Sequence, residues 1–344
     1  MISYTEVGGE WGQVSRAGQG DIVILSAIQI GDGAMSARRA VPHVFLPAIL
    51  AISLISYTHY IHAQQCQMAH DKNALKALQD RAAAGDADAQ CGLGRQYEFA
   101  LGVPQDNKQA VLWLSKSAEQ GNIVAQVELG VVFDKMQDYA QALIWYRRAA
   151  EQGNARAEFN LGLAYQDGES VPKDMAQAIT WYRKAADQGD VIAQSQLGVA
   201  YEQGEGVPQD YLQAADWYRR AAEKGLAEAQ YGLGFLYLNG YGVPKDDTQA
   251  TAWMLKAAEQ GETKAQFNLG VCYVNGVGEN RDLNEGYFWI FLANTRTTDS
   301  GLKEHAGNTL EELSKVMKKS DIKSAQKRAQ AWLNEHPHPL KMEQ

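Results

Sequence analysis

Between Ala89 and Trp289 apolar residues return at helical intervals, and the whole succession of intervals then repeats. Ala193, Leu197, Gly198 and Tyr201 fall near i, i+4 and i+8, which sets them on one stripe of a helix turned toward a core. After a polar break, Ala214, Trp217 and Ala221 make a second stripe, so the pattern predicts two helices joined by a turn. Leu-Gly pairs stand at Leu93-Gly94, Leu129-Gly130, Leu161-Gly162, Leu197-Gly198, Leu233-Gly234 and Leu269-Gly270, at spacings of 36, 32, 36, 36 and 36. Trp113, Trp145, Trp181, Trp217, Trp253 and Trp289 keep the same beat. The second unit therefore lacks four residues, between Phe133, which replaces a recurrent tyrosine, and Asp138. A period of this length marks a repeat array, in which each unit buries its apolar face only against its neighbours.

The break itself reads LGVAYEQGEGVPQD over Leu197 to Asp210. It recurs in five of the six units, follows no strand and precedes no Lys-Ser/Thr, so it is a turn and not a phosphate cradle. Gly204 and Gly206 supply positive backbone dihedrals, and Val207-Pro208 gives an extended approach. Asp210 is then expected as the N-cap of the second helix, with Gln213 at N3 completing a reciprocal capping box. The same box is expected at Asp106/Gln109, Asp138/Gln141, Asp174/Gln177, Asp246/Gln249 and Asp282/Glu285. Gly225 takes the position where a left-handed residue ends a helix. A glycine in mid-helix, such as Gly198, costs about 1 kcal/mol relative to alanine. Its recurrence predicts close approach of a neighbouring helix backbone.

These residues resemble the Sel-one-like (Sel1) repeat, a tetratricopeptide relative with the pattern A-x-x-x-L-G-x-x-Y-x-x-G-x-G-V-x-x-D followed by A-x-x-W-x-x-x-A-A-x-x-G. Units run Asp86 to Gly121, Asn122 to Gly153, Asn154 to Gly189, Asp190 to Gly225, Leu226 to Gly261 and Glu262 to about Thr297. Departures are Ala100 and Ser170 at turn-glycine positions, the shortened second turn, Gly286 for a helix-B alanine, and the missing closing motif of unit six. The resemblance implies an all-α fold, a right-handed α-solenoid of about six helix-turn-helix repeats over residues 86–297. Residues 71–85 read as an N-terminal capping half-repeat, 298–335 as C-terminal capping helices, and 336–344 as a tail. Some relatives are stapled by paired cysteines in each repeat, and this chain has no such pairs, which argues against that subgroup.

The front end has a different character. Residues 40–65 carry no Asp, Glu, Lys or Arg and follow Arg38-Arg39, so residues 35–63 resemble a signal peptide with translation starting at Met35. With that start, residues 1–34 are a non-native or disordered extension, and an uncleaved anchor over residues 40–63 is the alternative to a cleaved signal. The expected location is periplasmic or secreted, with membrane contact only through an uncleaved N-terminal segment. A net charge of −9 gives no diffuse attraction to nucleic acid, which is not expected as a partner.

Chemistry is sparse in the repeats. All seven histidines lie outside them, and Cys66, Cys91 and Cys272 show no metal-ligand spacing. His336-Pro337-His338 lacks a second pair of ligands, and N-capping already explains the recurrent aspartates. No catalytic, metal or cofactor-binding residue is expected, nor any cofactor. What remains is a surface. In a tetratricopeptide-like coil, helix A lines the concave face, and positions two either side of the recurrent leucine point inward. Phe159, Leu163, Tyr231, Phe235, Phe267 and Val271 are the candidate anchors for a peptide or amphipathic helix, although such positions can equally pack between units. The function expected is that of a non-enzymatic protein-binding scaffold or adaptor of the cell envelope or secretory pathway. An envelope enzyme, or a binder of cell-wall glycan related to peptidoglycan or β-lactam substrates, is the alternative.

Overall fold

The computed structural model describes residues 15–17, 21–23 and 72–336. Most of the N-terminal extension, the expected signal or anchor over 35–63 and the tail beyond His336 lie outside the described residues. Ser15–Ala17 and Asp21–Val23 pair as short antiparallel strands, with Arg16 opposite Ile22. From Lys72 to His336 the described chain is helix and turn, so the repeat region is all-α.

Six helix pairs follow a first helix at Lys72–Ala83. Repeat one joins Ala87–Phe99 to Asn107–Glu119, and repeat two joins Ile123–Lys135 to Tyr139–Glu151. Repeats three and four are Ala155–Asp167 with Met175–Asp187 and Val191–Gln203 with Tyr211–Glu223. Repeats five and six are Ala227–Asn239 with Asp247–Glu259 and Thr263–Asn275 with Leu283–Arg296. Two longer helices, Ser300–Val316 and Lys319–Glu335, complete the described chain. The helices belong to two compact units that divide at Ala221/Ala222. In the first, Leu93, Leu114, Leu129, Leu161, Tyr182 and Leu197 are fully buried. In the second, Leu233, Leu236, Met254, Leu269, Ile290 and Leu292 are. None of the six recurrent tryptophans is exposed. Trp113, Trp145, Trp181, Trp217 and Trp253 each carry a Lys or Arg three residues on, its cation 3.9–4.6 Å from the ring centre.

The turn glycines do what their spacing implies. Gly204 and Gly206 have φ of 74° and 71°, and Gly225 ends its helix at 95°. At Gly206 the neighbouring repeat sets a second demand, since a Cβ there would lie 2.7 Å from the Met175 carbonyl carbon. Ala100 and Ser170, which replace turn glycines, are held at φ 57°, and Gln137 of the shortened turn is held at 62°. Such left-handed conformations disfavour any residue with a Cβ.

Two sequence expectations need correction. Only half of the capping box forms. The aspartate Oδ1 accepts from the N3 backbone N–H, as at Gln109, Gln177, Gln213 and Gln249, at 2.9–3.1 Å. The aspartate's own backbone N–H does not await the Gln side chain. It donates to the carbonyl of the recurrent aromatic nine residues earlier, Asp210 to Tyr201 at 2.9 Å and Asp246 to Tyr237 at 3.0 Å. The aspartate thus fixes the turn and the next helix together. The mid-helix glycines likewise serve mainly a side chain and not a backbone. A Cβ at Gly130, Gly162 or Gly198 would lie 2.4–2.5 Å from the ring of Tyr146, Tyr182 or Tyr218. Backbone approach appears at Gly234 and Gly270, whose Cβ would meet Ala250 O at 3.0 Å and Gly286 O at 2.9 Å.

A buried glutamine ladder ties successive repeats. Gln90, Gln126, Gln194, Gln230 and Gln266 donate from Nε2 to the carbonyls of Ala82, Ala118, Ala186, Ala222 and Ala258 at 3.0–3.2 Å. Gln120, Gln152 and Gln260 then donate to Gln90, Gln126 and Gln230 at 2.7 Å. In repeat three Glu158 takes the ladder position and accepts from Gln188 at 2.6 Å. Each rung satisfies carbonyls at the end of one helix B with the side chain of the following helix A.

Candidate functional site

The six predicted anchors fall in both units. In the first, Phe159 is 2% exposed and its ring packs on Tyr182 with centroids 5.5 Å apart, whereas Leu163 is half-buried. In the second, Phe267 and Val271 are buried, and Tyr231 and Phe235 are half-buried. Residues two before the leucine in repeats three and six thus lie in the core, leaving Leu163, Tyr231 and Phe235 with surface to offer. In repeats one to three, ion pairs join helices A of successive repeats: Arg156 bridges buried Glu128 at 3.2 Å, and Lys135 bridges buried Glu98 at 2.8 Å.

Around Phe235 the second unit gathers an aromatic run. Its ring lies 6.4 Å from Tyr231 and 6.3 Å, edge-on, from Tyr241, which is 41% exposed. Tyr231 also receives a hydrogen bond at its hydroxyl from Asn268 Nδ2 at 3.0 Å. The sequence reading missed Tyr241 because it stands in the turn and not on helix A.

The first unit holds a cavity of about 20 Å³ between repeats two and three. Asp134 ends helix A of repeat two, and Tyr139 and Tyr146 come from its helix B. Asn160 and Leu163 come from helix A of repeat three, and Glu169 from its turn. Asn160 is 3% exposed, and neither its Oδ1 nor its Nδ2 has a partner. An unsatisfied buried amide of this kind is expected to cost about 1–3 kcal/mol. The equivalent Asn268 is satisfied by Tyr231, whereas Val127 stands at the place of that tyrosine one repeat before Asn160.

The carboxylates at the cavity are perturbed. Burial pushes Asp134 up to about 6, against the hydrogen bond that Tyr146 donates to its Oδ2 at 2.5 Å. Burial, then the charges of Asp134 and Asp167, push Glu169 up to about 7. Tyr146 itself is raised well above its ordinary value by burial and by Asp134. Leu163 is the one predicted anchor that lines this cavity. The other lining residues were not singled out, although FNLG occurs only in repeats three and six and the short second turn marks the same junction.

The repeats offer little to covalent chemistry. Burial pushes the thiols of Cys91 and Cys272 up to about 12, so their reactive thiolate forms are suppressed near neutrality. Among the described residues no group of three or more His, Cys, Asp or Glu is arranged to hold a metal ion. His336 stacks on Trp332 with centroids 4.2 Å apart, and His338 lies outside the described residues. No described helix is long and apolar enough to cross a membrane.

The family model for the Sel1 repeat matches residues 87–122, 124–154, 155–190, 191–226, 227–262 and 263–294. Among solved structures, the chain is similar to a protective antigen of uropathogenic Escherichia coli displaying an SLR fold. The two share 36% identity with a TM-score of 0.70, over 76% of this chain and 56% of that one. It is also similar to a Sel1 repeat protein from Oxalobacter formigenes, at 32% identity and a TM-score of 0.61 over 74% of each chain. The chain thus spans little more than half the length of the first of these relatives. No curated protein matches the chain.

Proposed function

Because the chain belongs to the Sel1 repeat family, we propose that it is a non-enzymatic scaffold whose fifth repeat receives an extended segment or amphipathic helix of a partner protein. One observation carries this reading: Tyr231, Phe235 and Tyr241 form a continuous aromatic run that includes an exposed ring. Aromatic side chains held by packing lose little entropy on binding, and such residues dominate the energetics of protein interfaces. Leu163 in the first unit offers a smaller apolar contact.

The scaffold acts at the cell envelope or beyond it in this reading, delivered by the signal-like segment at residues 35–63. N-terminal sequencing of the protein recovered from fractionated cells tests the delivery. A mature start near Gln64 in the periplasm or medium is the expected result, and an intact chain in the cytoplasm contradicts it. The binding reading is tested by a photoreactive residue at position 241, with the crosslinked partner identified and titrated. Tyr231→Ala with Phe235→Ala is expected to weaken that partner at least tenfold while leaving the helix content unchanged. Equal affinity for both forms removes the aromatic run from the account.

A further inference from the structure

The cavity between repeats two and three is rich in acceptors, with Asp134, Glu169 and Asn160 in its lining. Asn160 Oδ1 and Nδ2 are both buried and unpartnered, and Tyr146 donates to Oδ2 of Asp134. Glu169 supplies a second carboxylate, and none of the lining residues is cationic. Leu143, Leu163 and Ala164 complete the wall with apolar surface. The junction differs from its counterpart in repeats five and six, where Asn268 Nδ2 donates to the Tyr231 hydroxyl, because Val127 stands at the place of that tyrosine.

We propose that this cavity is a recognition subsite for one primary ammonium group, carried by a lysine side chain or by a free alkylamine. A volume of about 20 Å³ admits a group of about the size of a water molecule, and an ammonium meets that limit. Its three N–H donors and lack of any acceptor match Asn160 Oδ1, Asp134 and Glu169. The leucine and alanine side chains suit the methylenes that an ammonium brings with it. Asn160 Nδ2 remains for an acceptor on the same ligand or a water. An ammonium aims three donors from one atom whereas a guanidinium spreads five over a plane, so the site is expected to favour lysine over arginine. The inference stands apart from the aromatic run of repeat five, and small cations test it without any protein partner.

The full chain is titrated by calorimetry with n-butylammonium and with N-acetyl-lysine N-methylamide, beside the Nε-acetylated lysine and butylguanidinium. Saturable binding of either amine is expected, at least tenfold weaker for the acetylated and guanidinium forms and at least tenfold weaker in Glu169→Gln. Binding of the lysine derivative points to a polypeptide source, and binding of butylammonium alone points to a free amine. Asn160→Leu fills the site and is expected to abolish binding, with its circular dichroism and melting temperature verifying the fold. The proposal is overturned if neither amine saturates, if the acetylated form binds equally, or if folded Asn160→Leu and Glu169→Gln keep wild-type affinity.

Discussion

Asp134 and Glu169 show how one junction departs from an otherwise regular chain. Both carboxyls titrate above their ordinary range, at about 6 and about 7, so folding takes up protons there. Between roughly pH 4 and 7 the folded chain binds more protons at these sites than the unfolded chain, and the contribution of the pair to stability falls as pH rises through that window. The charge of Asp167 adds to the shift of Glu169, whereas the Tyr146 hydrogen bond opposes that of Asp134. Asp134→Asn with Glu169→Gln is therefore expected to flatten the stability–pH slope and to be more stable than wild type at pH 8, as read by urea denaturation. An unchanged slope places the source of the pH dependence elsewhere. Nothing in either residue's immediate sequence announces this, because burial is decided by the neighbouring repeat.

Each helix pair is registered by a glycine on helix A and a bulky residue on helix B. Gly162 accepts the ring of Tyr182, whose hydroxyl then reaches Gln166 at 2.8 Å on the same helix A. Gly198, Tyr218 and Glu202 repeat the arrangement, with the closing bond at 2.6 Å. Helix propensity alone favours Gly162→Ala by about 1 kcal/mol. The tyrosine ring 2.4 Å from the new Cβ reverses the sign, and a net loss of about 1–3 kcal/mol is expected from overpacking. Chemical denaturation of the single variant decides between these, and a stabilised Gly162→Ala would mean that the ring moves aside freely. The glutamine ladder works at the same scale, joining one helix B to the next helix A. Gln90 and its counterparts were legible as a recurrence, but their role was not, since a buried glutamine has meaning only once the carbonyl it meets is known.

At the scale of the whole molecule, the array needs its ends covered. In the second unit Leu302, Ala306, Leu310 and Leu313 of Ser300–Val316, with Ala325 and Ala329 of Lys319–Glu335, join the core that holds Phe288, Trp289 and Ile290. Deleting residues 298–344 bares that surface, and light scattering is expected to show association of the truncated chain at concentrations where the full chain is dispersed. A dispersed, fully helical truncation would show that the terminal pair is dispensable. The sequence by itself determined the repeat count, the helix-turn-helix order of the units, the turn conformations at Gly204 and Gly206 and the N-cap aspartates, because each follows from local propensity that recurs along the chain. Tertiary structure alone decided what the repeats do for one another. It placed Phe159 and Phe267 in the core, gave Tyr241 an exposed ring beside Phe235, and left Asn160 without the partner that Asn268 has. Those outcomes depend on partners from another helix, a turn or another repeat, as where valine at 127 stands in place of the tyrosine that Asn268 bonds at the junction of repeats five and six.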